Sequence, residues 1–584
     1  CWLLTWRLFA LIEPFSRKVD PQLATRYTHR PFPIMKRPDS KASDRYSARL
    51  ECRHLLANGA RRCIRGGRMV SARVFQVLTL ACMFGIAGQV DAANDAPNLN
   101  PIGNRTVQAG SPLSFQISAT DANNDPLSFG TQSAPGHWPV IQGDPWTTAL
   151  RSHPSAPAYY IDSRNGNDSA NGRTPATAWK TLDRLQQVLL GPGDVVRLAR
   201  DSVWSKQQIY LKTGSKGSAD APIIIEAYGR GSAPTISDPY AFWDKTRKHS
   251  CVYLVEDQSH IRVLELRMTL AQGSPAVLLQ KTTHNITIAG CEILHCGTGV
   301  RVEGRNQRVL SCYIHDIDQS TGSGIGIVFL GEYFEFGWNR LSRCYANRPS
   351  DGKLDGAPFE FYGRVVLPSG EEVYDMSRDI VIHHNRVEEN LIFIETYGDV
   401  TNFTIAHNLY LNSGPNPLVI HYDDCEHATW THGSTYTNFQ VLNNTFIARI
   451  DPEPGGWGMI GLLVDYDHMP DPAINTMTVR NNVFYTNYTI LSWVNPLGAS
   501  LVHDHNLFHF VGDGRLSTTQ GVWVQDPTEI IGDARFVNAA EGNYRLQSAS
   551  PARNAGAPSL FSVDLDGTQI PTGSAPDIGA YEFH

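Results

Sequence analysis

Four ionisable side chains occupy one point in short alternating segments late in the chain: Glu360 in "PFEFYG", Glu395 in "LIFIETYG", His421 in "PLVIHYDD" and Asp465 in "GLLVDYD". If these segments stack as parallel strands about 4.8 Å apart, the four form an outward ladder. Arg301 of "GVRVEG" stands at its head, with one intervening coil of unfixed register. Two positions later come Tyr362, Tyr397, Asp423 and Asp467. Like charges opposed across strands destabilise a sheet. Close carboxylates also cannot both ionise freely, so one pKa rises and that group becomes a usable acid at neutral pH. Paired carboxyls of this kind are what most glycoside hydrolases use. Glu395 is the leading acid/base candidate, Glu360 or Asp465 its partner, and His421 would orient it or shuttle a proton. Adjacent coils, about 4.8 Å apart, suit a retaining pair, Glu360 with Glu395. Alternate coils, about 9.6 Å apart, suit an inverting pair, Glu395 with Asp465. The competing reading is that outward residues on a solvated strand are simply polar.

The longest turns, 345–357, 364–379, 424–438 and 449–459, attach to the same coils, where the walls of a cleft would be built. They carry Trp430, Tyr436 and Trp457, whose rings could stack on sugars or pack the loops, and Arg364, which could meet a substrate carboxylate. Asp423, Asp424 and Asp467, with nearby His421, His427 and His432, are the candidate ligands for calcium. A polysaccharide lyase or C5-epimerase acting on a uronate polymer would need such an ion; a hydrolase needs no cofactor. After Lys281 the only lysine is Lys353, in a loop, so a strand-borne lysine base is missing and His421 or Tyr397 would have to serve. A third reading is a non-catalytic glycan-binding or surface protein, in which Glu360 and Glu395 could be replaced without loss of activity.

The elements that must position these residues follow from a repeat. Aligning "ITIAGCEI", "RVLSCYIH", "FEFGWNRL", "IVIHHNRV", "FTIAHNLY", "QVLNNTFI", "MTVRNNVF" and "LVHDHNLF" brings Cys291, Cys312, Asn339, Asn385, Asn408, Asn444, Asn482 and Asn506 into one column. Units of a little over 20 residues with occasional insertions are expected of solenoid coils. Stacked amides inside can bond to the coils above and below. Phe359 and Phe361, Ile392 and Ile394, Leu418 and Ile420, and Leu462 and Val464 face the core by period-2 alternation. The fold expected is all-β, a single-stranded parallel β-helix with long loops on its central coils.

Among 584 residues are 49 glycines and 35 prolines, which favours many short elements over helical bundles. "MVSARVFQVLTLACMFGIAGQVDA", residues 69–92, has the form of a secretory signal. Residues 1–68, arginine-rich and without an initial methionine, read as upstream translation or a disordered arm. Residues 1–92 hold 16 of the 50 Lys and Arg but 6 of the 57 Asp and Glu, so the remainder carries −17. That charge disfavours nucleic acid and anionic membranes. No later apolar run is long enough to span a bilayer. The expected product is a secreted, extracellular or periplasmic monomer acting on a polysaccharide or oligosaccharide. Its six cysteines, Cys251, Cys291, Cys296, Cys312, Cys344 and Cys425, lack zinc-site spacing, and their pairing is open.

The coils, together with "YYIDSRNGNDSANGRTPATAWKTLDRLQQVLLGPGDVVRLARDSVW" at their start and "FVNAAEGNYRLQSASPARNAGAP" and "APDIGAYEF" at their end, resemble the secreted right-handed parallel β-helix proteins of the pectate-lyase-like superfamily. The resemblance covers roughly residues 158–584. It implies a short amphipathic capping helix within 158–250, coils over 251–510 and a closing segment over 511–584. The superfamily hosts lyases, hydrolases, epimerases, esterases and adhesins, so it implies a carbohydrate-active class rather than one reaction. Residues 93–134 resemble the first strands of a cadherin- or immunoglobulin-like module, cut short, with 135–157 as linker.

Overall fold

The computed structural model describes residues 98–99, 119–120 and most of 150–584. The stretches left out there are 153–155, 238–249, 256, 272–274, 320–323, 348–351, 353, 363, 367–371, 375–376, 398, 413–415, 422–435, 449–459, 464–475, 493–500 and 518–522. The expected signal (69–92) and the residues before it lie outside the described residues, as does the linker apart from 150–152 and 156–157. Of segment 93–134, one antiparallel pairing is described, Asn98–Leu99 with Ala119–Thr120.

From Ala158 onward, short runs of β-branched and aromatic residues pair in parallel with the equivalent run one coil later, making three sheets wound along one axis. The first sheet runs from Ile209–Tyr210 to Arg515–Ser517, and the second from Ala158–Ile161 to Leu501–Asp504. The third runs from Val203–Ser205 to Ile530–Ile531. Two 13-residue strands, Thr298–Leu310 and Ile325–Gly337, cross from the first sheet into the second. They bend where Gly304 pairs with Gly331. Gly331 has φ of 143°, and a Cβ there would meet the Gly304 carbonyl oxygen at 2.1 Å, so only glycine lets the coils approach. This is the parallel β-helix the repeat implied.

The asparagine column is present. Asn408 accepts from the backbone N–H of Asn385 at 2.9 Å and from its Nδ2 at 2.9 Å. Its own Nδ2 donates to the Ile382 carbonyl at 2.9 Å and to Asn444 Oδ1 at 3.0 Å. The same pattern runs from Asn339 to Asn506, all fully buried, and ends on Glu529, whose Oε1 accepts from Asn506 Nδ2 at 2.9 Å. Each ladder amide follows a left-handed residue: Trp338, His384, His407, Asn443, Asn481 and His505 have φ between 52° and 60°. Asparagine and histidine tolerate that geometry better than most side chains. Cys291 and Cys312 continue the column, and with Cys251, Cys296 and Cys344 they are buried free thiols; Cys425 lies outside the described residues.

Where the short capping helix was expected, the described residues hold a five-residue 3₁₀ helix, Leu182–Gln186, which buries Leu182 and Leu185. Five residues suffice to cover the narrow end of a solenoid, and Gly191 and Gly193 follow closely. At the other end residues 534–581 fold back over the outside of the third sheet. There Phe536, Leu546, Leu565 and Ile578 cover Leu409, Ile447, Val483 and Leu507. Among the described residues no helix is long and apolar enough to cross a membrane.

Candidate active site

On the first sheet, strand Phe359–Tyr362 lies beside strand Ile392–Tyr397, with Phe359 opposite Ile394 and Glu360 opposite Glu395. Alternation sends Phe359, Phe361, Ile394 and Thr396 inward, all fully buried. Phe393 is also buried and packs on Phe359 at a centroid distance of 5.4 Å, whereas the expected core residue Ile392 is half-buried. Behind the pair, Phe336, Phe361 and Phe403 cluster around Phe329, at centroid distances of 5.0, 5.8 and 6.1 Å. Rigid rings at native density leave the two strands little freedom to shift, which fixes the spacing of the outward carboxyls.

Glu360 points outward but is only 3% exposed, whereas Glu395 is half-buried. An ionised carboxylate in such a place is costly. Burial, then the negative charges of Glu395 and Asp355, push the Glu360 carboxyl well above the usual carboxylate range. Asp355 is a participant that sequence reasoning passed over. It belongs to a two-stranded antiparallel hairpin, Ala346–Asn347 with Leu354–Asp355, inside the 345–357 insertion. Its signal was available as an acid five residues before Glu360 in "LDGAPFEF".

The register corrects the expected ladder. Glu395 faces Val419, and Val419 faces Gly461; His421 instead faces Tyr397 on one side and Leu463 on the other. The column through the acidic pair therefore reads Arg301, Val328, Glu360, Glu395, Val419, Gly461. Asp465 comes four residues after Gly461 and lies outside the described residues. An even slip along a period-2 strand keeps every apolar residue on the core side, so core pattern alone could not distinguish the two registers. The intervening coil contributes Val328, and Arg301 is bonded to Glu303, Nε to Oε1 at 2.6 Å.

Tyr362, Tyr397 and His421 share one column by backbone register, two residues on from Glu360, Glu395 and Val419. Arg364 begins a second antiparallel hairpin, Arg364–Val366 with Glu372–Tyr374. Tyr436, expected to offer its ring to a sugar, is fully buried, and its hydroxyl lies 3.1 Å from Thr396 Oγ1. It is a core residue of the strand Tyr436–Leu442 rather than part of the loop. Asp423, Asp424, Asp467, Trp430 and Trp457 lie outside the described residues, as do His427 and His432. Among the described residues no three His, Cys, Asp or Glu side chains converge as a metal site would require.

No family model matches the chain. A lacto-N-biosidase of Bifidobacterium longum subsp. longum is 33% identical over 115 residues, 19% of this chain and 7% of that protein, so the match spans a small fraction of the relative's length. Among solved structures, pectate lyase Pel9A aligns over 73% of this chain and 96% of its own at 14% identity with a TM-score of 0.44. A GH136 lacto-N-biosidase from Eubacterium ramulus aligns over 64% and 68% at 16% identity with a TM-score of 0.38.

Proposed function

We propose that the protein is a secreted glycoside hydrolase that cleaves an oligosaccharide or polysaccharide on the outer face of the first sheet. Glu360 acts as general acid and Glu395 as nucleophile. The observation that carries the reading is a buried carboxyl, its pKa raised by burial and by neighbouring acids, beside a more exposed one on the adjacent coil. Their strands lie at the roughly 4.8 Å spacing of parallel neighbours, which suits the about 5–5.5 Å between carboxyls in retaining enzymes.

The assignment reverses the sequence expectation, in which Glu395 was the leading acid, because Glu360 is the more deeply buried of the two. Protonated Glu360 gives its proton to the glycosidic oxygen as the bond breaks, while Glu395 attacks the anomeric carbon. Glu360, now ionised, then takes a proton from the water that releases the sugar from Glu395. In this reading Tyr362, Tyr397 and His421 line the cleft along the next column, and Arg364 reaches it from the hairpin that follows Tyr362. Asp423, Trp430 and Trp457 would belong to its loop walls.

The 115-residue match supports a carbohydrate-active class and places lacto-N-biosidase substrates first in any panel. Met69–Ala92 supports export. The test is incubation with neutral and uronate-containing glycans, with and without chelator, following reducing ends and ultraviolet absorbance together. Reducing ends without absorbance, lowered about 10²–10⁴-fold in Glu360→Gln, are expected. Absorbance that rises with the reducing ends and vanishes with chelator would replace this reading with a calcium-dependent lyase using Asp423, Asp424 or Asp467. No activity on any glycan, with binding kept in Glu360→Gln and Glu395→Gln, would favour a binding protein.

A further inference from the structure

The middle of the second sheet carries an open cavity of about 560 Å³ on its outer face, within the size range of small-ligand sites. Its floor is one outward column, Arg262, Thr287, Arg308 and Glu335, on four successive coils. The two acidic groups at the cavity are already engaged. Glu335 accepts from Arg308 Nε at 2.7 Å and lies 3.2 Å from His383 Nε2. Asp379 accepts from Asn402 Nδ2 at 2.9 Å.

Arg262 is different. It is half-buried, its Nη1 donates to the Leu150 carbonyl at 3.0 Å, and among the described residues it has no carboxylate partner. Burial and the neighbouring positive charge of Arg308 both disfavour its charged form. A guanidinium with donors to spare in a cavity, near a second guanidinium, costs stability that a bound anion would recover, because bidentate pairing with a carboxylate or sulfate satisfies its fork.

The rim indicates what kind of anion. Asn285, whose Nδ2 lies 3.3 Å from His260 Nε2 and 2.9 Å from His284 Nδ1, offers its amide oxygen, and the floor adds the Thr287 hydroxyl. Tyr333 presents a ring that is 45% exposed at the margin. Uncharged hydrogen-bonding groups, an aromatic face and a column repeating every 4.8 Å or so suit a chain of sugar rings better than a compact inorganic ion.

We propose that this cavity is a second glycan-binding site, on a different face from Glu360 and Glu395, which takes an acidic sugar by its carboxylate or sulfate on Arg262. It anchors an acidic stretch of polymer and stands whether or not the first sheet is hydrolytic.

The test is calorimetric titration of the full chain with a trigalacturonate, a sulfated galactan tetrasaccharide and neutral maltotriose. Either anionic probe should bind at least ten times more tightly than the neutral one, and which does so separates carboxylate from sulfate. Arg262→Met should weaken that binding about tenfold or more, raised salt should weaken it in the wild type, and Glu395→Gln should leave it unchanged. Tyr333→Ala, at an exposed position, decides the matter if Arg262→Met fails to fold, and should cost severalfold in affinity. Equal affinity for all three probes, no binding at all, indifference to both cavity substitutions, or loss of binding in Glu395→Gln would each overturn the proposal.

Discussion

Two columns of like side chains run along this solenoid, and stacking affects them in opposite ways. The asparagines from Asn339 to Asn506 stack inside, each donating to one neighbour and accepting from the other, so every added coil satisfies the one before it. Glu360 and Glu395 stack outside with acceptors only when ionised, so adjacency raises the cost of charge. One parallel register thus builds a structural spine from amides and an acid from carboxylates. What separates the two outcomes is whether the side chain carries both donor and acceptor.

The spine is the place to break that contrast most severely. Asn408→Ala removes the acceptor for the Asn385 backbone N–H and the donor to the Ile382 carbonyl, both buried where water does not reach. Each stranded group costs about 1–3 kcal/mol, so a loss of about 3–5 kcal/mol is expected in denaturant unfolding. Asn408→Asp should also destabilise strongly, because a carboxylate cannot donate onward to Asn444. An Asn408→Ala protein as stable as wild type would show that the column is a consequence of the fold rather than a support for it.

Much of the spine was legible in the sequence because it depends on one residue type in one column, following a left-handed residue that is itself often His or Asn. The acidic pair was legible as adjacency, since Glu360 does face Glu395. The continuation to His421 was not, because an even register slip leaves Ile394 and Leu418 both inward. Nor could the sequence state that Glu360 is buried, since that depends on surroundings its own strand does not specify. The 3₁₀ helix at 182–186 carries the apolar spacing of an amphipathic helix without its length. The cavity at Arg262 was passed over because its column, Arg262, Thr287, Arg308 and Glu335, mixes charge signs and so lacks the single-sign pattern that exposed the acidic pair.

The outer pair should respond in the reverse direction to the spine. Glu360→Gln replaces a group that resists ionisation with a neutral isostere, so it should stabilise the fold while lowering activity about 10²–10⁴-fold. Because the folded pKa lies above the unfolded value, the wild type carries no penalty below the ordinary carboxylate range. It loses stability as pH rises from there toward the folded pKa. The gap between Glu360→Gln and wild type should therefore be small near pH 4 and grow on the alkaline side, reaching about 1 kcal/mol, the scale of one unfavourable cross-strand pair. Melting temperatures across that range would measure it, and a gap that shrank with pH would mean that Glu360 is held ionised.

Asp355 allows a finer test of the same idea, because its effect on Glu360 is the smaller of the two carboxylate contributions. Removing its charge with Asp355→Asn should lower the Glu360 pKa, and with it the alkaline limb of the pH–rate profile. The shift should be smaller than that in Glu395→Gln, measured by the proton uptake of Glu360 if that variant is inactive. If the alkaline limb stayed in place, burial and Glu395 together would be sustaining the acid. The hairpin at 346–355 would then matter for the water it excludes rather than for the charge it brings, and a substitution that opens the hairpin would lower the limb where Asp355→Asn had not.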